Sequence, residues 1–162
     1  MSRFKKPIVL WFDPPNAFAL VHGEVLLAYG HWSMKDHDDF WLVQKTQEIL
    51  SGLPREPDVI GIEGQYLHVY GDDEPHVKRG KQEGSIVLSW RAGLIAATCM
   101  VMLKKPVKKR GPDEWQIPMV GGKNRKTRKR MSMLKARFMT GKKLTVDECD
   151  AYLMAVYEGM QL

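Results

Sequence analysis

The sequence predicts an α/β fold, with α+β layering around a mixed sheet, and three observations predict it. A continuous apolar run, Ile8-Val-Leu-Trp-Phe12, has the composition of a strand covered on both faces. Two more strand-like segments follow at once, around a turn at His22-Gly23-Glu24. Beyond residue 35, helical periodicity alternates with short apolar runs, the pattern of helices layered on a sheet. With 162 residues, 44% of them hydrophobic, the chain can bury a real core, and neither a repeat nor a linker divides it. One domain over 1–162 is expected.

The first strand ends at Asp13, where Pro14-Pro15-Asn16 is turn chemistry because proline has no N–H for a ladder. Ala17–Val21 and Val25–His31 pair across Gly23, which takes the positive φ that a tight hairpin requires. Residues 36–50 place Phe40, Val43 and Leu50 at helical spacing, closed by Gly52 and Pro54. Asp58–Ile62 returns as a short buried strand carrying Glu63. Gly64–Gly84 shows no period and reads as a long functional loop. From Gly84 an apolar helix runs to about Leu103 through Ile86, Trp90, Leu94, Ala97 and Val101. Lys104–Arg110 holds a short edge strand, Pro112 a turn, and Gly121-Gly122 a hinge. Asn124 caps a helix to Thr140, with an apolar stripe of Met131, Leu134 and Phe138 opposite a face of Lys and Arg. Gly141 ends that helix. Thr145-Val-Asp-Glu148 then matches a capping box and opens a last helix to about Glu158.

The net charge of +6 is unevenly spread. Residues 104–143 hold 15 Lys/Arg against two acids, Asp113 and Glu114, while the remainder holds 10 Lys/Arg against 17 acids. A face built this way suits a polyanion, because neutralising phosphates releases counterions. The plainer alternative is a solvated basic helix. Cys99 and Cys149 are too few for a disulfide scaffold or a zinc site and read as reduced core residues, so a cytoplasmic setting is expected. No signal-peptide pattern is visible, since the apolar run after Lys5 and Lys6 stops at Asp13. The longest apolar stretch, Leu94–Leu103, is too short to cross a bilayer, and no membrane association is expected. His22, His31, His37, His68 and His76 show no ligand spacing.

Four acids stand where metal ligands would. Asp13 and Glu63 each end an apolar strand, and Asp147 and Asp150 lie three apart in the first turn of the last helix, on one face. Carboxylates at the tips of buried strands are costly to desolvate without a positive partner. Each has a duller explanation: Asp13 as a turn-former, Glu63 as a lone buried acid, the helix-start acids as complements of the macrodipole. Together, beside so basic a segment, they point to a divalent cation and a phosphodiester. Mg²⁺ takes oxygen ligands, and two ions about 3.5–4 Å apart stabilise both attacking and leaving oxygens of an in-line displacement. Glu148 rivals Asp147 as third ligand, but only Asp147 keeps the i, i+3 relation to Asp150.

The segments IVLWFDPP, VIGIEGQY and PDEWQIPMVGGKNRKTRKRM, followed by DECDAYLMA, resemble the RuvC family of Holliday-junction resolvases, nearly end to end and in the right order. That resemblance implies an RNase H-like fold, with a mixed five-stranded sheet and helices on both faces. It implies Asp13, Glu63, Asp147 and Asp150 as the catalytic, metal-binding set, with two Mg²⁺ (or Mn²⁺) ions per site. It also implies a homodimer that places paired nicks on branched DNA, with the helix from Gly84 forming the interface. Tyr66 falls where the family stacks an aromatic on a base, a contact worth about 1–3 kcal/mol. Pro15 stands in place of the family's usual glycine, and Gln116 in place of a lysine after Trp115. A second family lysine falls near Thr127, between Lys126 and Arg128.

The expected function is therefore a metal-dependent, structure-selective endonuclease for Holliday junctions, flaps or forks. Tyr66, Gln116, Lys123, Arg125, Lys126, Arg128, Lys129 and Arg130 are the expected DNA contacts, the basic ones to backbone phosphates. A non-catalytic nucleic-acid-binding protein on the same fold and an RNase H-like nuclease for RNA–DNA hybrids are the alternatives.

Overall fold

The computed structural model describes residues 5–64, 75–121 and 124–162, with side chains left undescribed at 75–79, 81 and 82. Five strands form one sheet: β1 (Ile8–Asp13), β2 (Ala17–His22), β3 (Val25–His31), β4 (Val59–Glu63) and β5 (Val107–Arg110). Their order is β3-β2-β1-β4-β5. β1 pairs antiparallel with β2, from Ile8↔His22 to Asp13↔Ala17, and parallel with β4, from Val9↔Val59 to Phe12↔Ile62. β5 adds to β4 in parallel, with Glu63 opposite Arg110. This parallel pairing brings Asp13 and Glu63 to the same end of adjacent strands.

The period of two along β1 divides the core. Val9 and Trp11, with Ala19 and Val21 of β2, face α5 (Val146–Met160), while Ile8, Leu10 and Phe12 face the layer of α1 (Asp39–Ser51). The second layer also takes Ile95 and Cys99 from α2 (Pro75–Leu103), and the first takes Trp115 and Met119 of α3 (Pro112–Val120) and Ala136 of α4 (Arg125–Thr140). Helices thus cover both faces of a mixed sheet, as expected. The Trp11 ring lies across Gly61, where any Cβ would collide with it, so the glycine in Val59-Ile-Gly-Ile62 is a packing requirement.

Several local expectations are corrected. α1 buries Leu42, Thr46, Ile49 and Leu50, while Phe40 is exposed and Val43 only half-buried. Its Asp38 side chain caps Trp41 N–H at 2.7 Å. α2 begins at Pro75, nine residues before Gly84, so the latter part of the expected loop is helical; residues 65–74 lie outside the described set. Pro112 opens a helix and not merely a turn. Its fixed φ suits the first helical position, and the Glu114 carboxylate reaches back to accept the Gly111 N–H.

The apolar face of α4 is also reassigned. Met131, Leu134 and Phe138 are exposed, Phe138 at 90%, and the helix packs through Ser132 and Ala136. Small residues let α4 lie close against α5, and Arg137 secures the turn beyond it by donating to the Leu144 carbonyl at 2.8 and 3.0 Å. The Asn124 cap and the Gly141 terminus, with φ of 64°, agree with the sequence.

Within α2, Glu83–Leu103 is long and apolar enough to cross a membrane by length and composition, with mean hydropathy 1.8 and 17% of it buried. The expectation from Leu94–Leu103 alone understated this stretch. Part of α2 is held to α1, where Trp90 Nε1 donates to Asp39 Oδ2 at 2.8 Å and Arg91 Nε to Oδ1 at 3.3 Å. Ile86, Val87, Met100, Val101 and Met102 remain exposed.

Candidate metal centre and nucleic-acid interface

Three elements converge on one acidic site. β1 and β4 deliver Asp13 and Glu63 at the ends of their ladders. α5 supplies Asp147 from its first turn and Asp150 from the start of its second, and its direction is set by a complete capping box: Thr145 N–H donates to Glu148 Oε2 at 2.7 Å and Glu148 N–H to Thr145 Oγ1 at 3.3 Å.

The four acids lie close enough to perturb one another. Burial pushes the Asp13 carboxyl well above the usual range, and Glu63, Asp150 and Asp147 push it further, against the opposing charge of Lys129. Burial raises Glu63 to about 6, with Asp147 adding to the rise while the Trp115 hydrogen bond, Lys129 and Arg125 oppose it. Asp150 rises to about 7, first through burial and then through Glu63 and Asp147, and Lys129 and Ser132 hold it down in part. Asp150 is only 5% exposed, yet among the described residues its Oδ1 has no hydrogen-bond partner, nor does the hydroxyl of Ser132.

The donor set fits a hard divalent cation. It consists of carboxylate oxygens alone, those of Asp13, Glu63 and Asp150 costly to ionise where they stand, and a buried oxygen unpartnered among the described residues is one that a cation would satisfy. Among the described residues no group of three or more His, Cys, Asp or Glu side chains is drawn together tightly enough to hold an ion. Glu148 is engaged elsewhere. Its Oε2 serves the cap and its Oε1 meets His31 Nδ1 at 2.8 Å. Burial alone would raise the Glu148 carboxyl, but the Thr145 N–H and His31 outweigh it and hold the group below its usual range.

The expected DNA contacts separate into distinct groups. Arg125, Lys126, Lys129 and Arg130 are exposed on the first two turns of α4, and the charges of Lys129 and Arg125 reach the carboxylates. Arg128 is instead paired with Asp113 Oδ1 at 2.6 Å, which ties α4 to α3, and its side chain is 19% exposed. Gln116 is 8% exposed and offers little surface to a phosphate, because α3 turns it inward beside Trp115. Tyr66 and Lys123 lie outside the described residues.

Two participants were not singled out from the sequence. Trp115 donates its indole N–H to Glu63 Oε2 at 3.1 Å. His31, exposed on β3, stands beside Glu148. Only the position of Trp115 in the PDEW segment hinted at a role, and nothing in the sequence linked β3 to the last helix.

No family model matches the chain, and no curated protein matches it by sequence. Among solved structures it is similar to Thermus thermophilus RuvC, at 20% identity and a TM-score of 0.54 over 93% of this chain and 92% of that one. It is also similar to T. thermophilus RuvC in complex with a Holliday junction substrate, at 18% identity and a TM-score of 0.53, over 93% and 91% of the two chains. At such identity the likeness establishes the fold: an α/β domain of the RuvC, RNase H-like arrangement.

Proposed function

We propose that the protein is a divalent-metal-dependent, structure-selective endonuclease that cleaves branched DNA, four-way junctions foremost, as a homodimer. The observation that carries the reading is the convergence of carboxylates from β1, β4 and α5, half-buried at Asp13 and Glu63 and buried at Asp150, the last with an oxygen unpartnered among the described residues, beside the exposed cations of α4. The fold neighbour seen with a Holliday junction substrate supports branched DNA as the substrate class.

Asp13, which feels all three other acids, would hold the divalent ions together with Glu63 and Asp150, and Asp147 would complete the set. The occupation of both Glu148 oxygens supports Asp147 in that place. Bound Mg²⁺ or Mn²⁺ supplies activation of a water and neutralisation of the leaving oxygen. Arg125, Lys126, Lys129 and Arg130 hold the backbone phosphates beside the carboxylates without reading sequence. The exposed apolar side of α2 supplies the surface that a second copy covers, since a stripe of this length seldom faces water without a partner.

A four-way junction, a flap, an RNA–DNA hybrid and plain duplex, each incubated with Mg²⁺, test the substrate. Cleavage of the branched substrates over the duplex is expected, and hybrid cleavage alone would replace this reading with a ribonuclease. Asp13→Asn should lose several kcal/mol of transition-state stabilisation, roughly a thousandfold in rate or more, while junction binding persists. Retained cutting would remove Asp13 from the site. Sedimentation equilibrium should give twice the chain mass, and Val101→Glu should shift it toward the monomer; a monomeric wild type refutes the dimer.

A further inference from the structure

We propose that Trp115 is a positioning residue for the metal centre: its indole N–H fixes Oε2 of Glu63 and leaves the other oxygen for a cation. The inference rests on the metal-dependent reading above and assigns a role to a side chain outside the carboxylate set.

The geometry makes this bond different from the other influences on Glu63. Trp115 is 0% exposed, embedded with Val9, Trp11, Tyr152 and Cys149, so its ring has no room to turn. The indole nitrogen is a donor only, which obliges Glu63 to be the acceptor. Among the described residues the Glu63 side chain makes no other hydrogen bond. Lys129 and Arg125 also favour its charged form, but both are exposed and free to follow a phosphate. A carboxylate at a strand tip has rotatable bonds to spare, and Trp115 is the rigid body that restricts them.

The helix bearing Trp115 is itself fastened at several points. The Gly111 N–H at its start is held by Glu114, and Arg128 of α4 grips Asp113 at 2.6 Å. Lys135 Nζ donates to the Met119 carbonyl at 2.6 Å near its end. The Gly64 N–H donates to the Arg110 carbonyl at 2.6 Å, joining the strand end that carries Glu63 to the strand that leads into α3. Donor and acceptor are thus mounted on one braced unit. Partners that orient a metal's ligands, when removed, typically weaken metal affinity by about 10- to 100-fold.

The test compares wild type, Trp115→Phe and a protein carrying 3-benzothienylalanine at position 115, an isostere in which sulfur replaces the N–H. Mn²⁺ affinity is read by calorimetry, the metal-free melting temperature by circular dichroism, and junction affinity by anisotropy without divalent metal. The isostere should bind Mn²⁺ roughly tenfold or more weakly. Its melting temperature and junction affinity should match wild type, and raised Mn²⁺ should restore its cleavage rate. Wild-type Mn²⁺ affinity in the isostere overturns the proposal, as does weakened junction binding in step with weakened metal binding. If Trp115→Phe fails to fold, the isostere carries the test alone. A wild type that binds no Mn²⁺ defeats the nuclease reading itself, a result distinct from a difference confined to position 115.

Discussion

The two ends of α5 hold buried acids in opposite circumstances. Glu158, 0% exposed, receives Lys108 Nζ at 2.6 Å and Arg110 Nε at 2.9 Å, and these cations outweigh burial and hold its carboxyl below the usual range. Asp150, 5% exposed on the same helix, has an oxygen with no partner and rises to about 7. The fold can neutralise a buried acid where one strand brings two cations to it. At the other end Lys129 lies within electrostatic reach, yet no described ion pair forms. Glu158 is thus a structural tie between α5 and β5, whereas among the described residues Asp150 Oδ1 ties nothing.

Removing each charge should therefore have opposite signs, the largest contrast the molecule offers beyond loss of cleavage. In chelator at pH 8, Glu158→Gln should cost about 1–3 kcal/mol, less than a fully buried broken pair costs because Lys108 and Arg110 are partly solvated. Asp150→Asn should stabilise the metal-free protein by about 1–3 kcal/mol, since it removes a group whose ionised form the fold disfavours. Urea unfolding measures both. Equal signs would erase the distinction between structural and metal-binding carboxylates.

A smaller effect follows from pH. Glu63 and Asp150 have folded values raised to about 6 and about 7, so the folded state holds their protons more tightly than the unfolded chain. Their contribution to stability falls as pH rises from about 4 to about 7. Glu158 and Glu148 have lowered values, so their contribution is present above the ordinary glutamate range and fades as pH falls below it. Metal-free melting temperature should decline gently from pH 5 to 8, and Mg²⁺ should lift the upper limb most. A flat profile with no metal response would sharpen the comparison against the site.

Local chemistry was legible in the sequence, and assembly was not. The β1–β3 hairpins, the Asn124 and Thr145 caps and the Gly141 stop were readable because each depends on neighbours within a few residues. The buried faces of α1 and α4 were misjudged for one shared reason. A helix packs through the side its partner can approach, and in α4 that is Ser132 and Ala136, not the bulkier Met131, Leu134 and Phe138. The burial of Gln116 and the pairing of Arg128 with Asp113 are equally absent from the sequence, because both depend on how α3 and α4 meet.

By itself the sequence determined that four acids end strands or begin a helix, and that a basic segment lies between Glu63 and Asp147. Such positions follow from strand composition and capping, which act over short distances along the chain. Only the tertiary structure decided which acids share a site, because the parallel pairing of β1 with β4 and the seat of α5 join residues far apart in sequence. It also decided that Glu148 belongs to His31 and the helix cap, that Glu158 belongs to Lys108 and Arg110, and that Glu63 answers to Trp115. An acid's partners in space, and with them its charge, depend on what folding brings beside it.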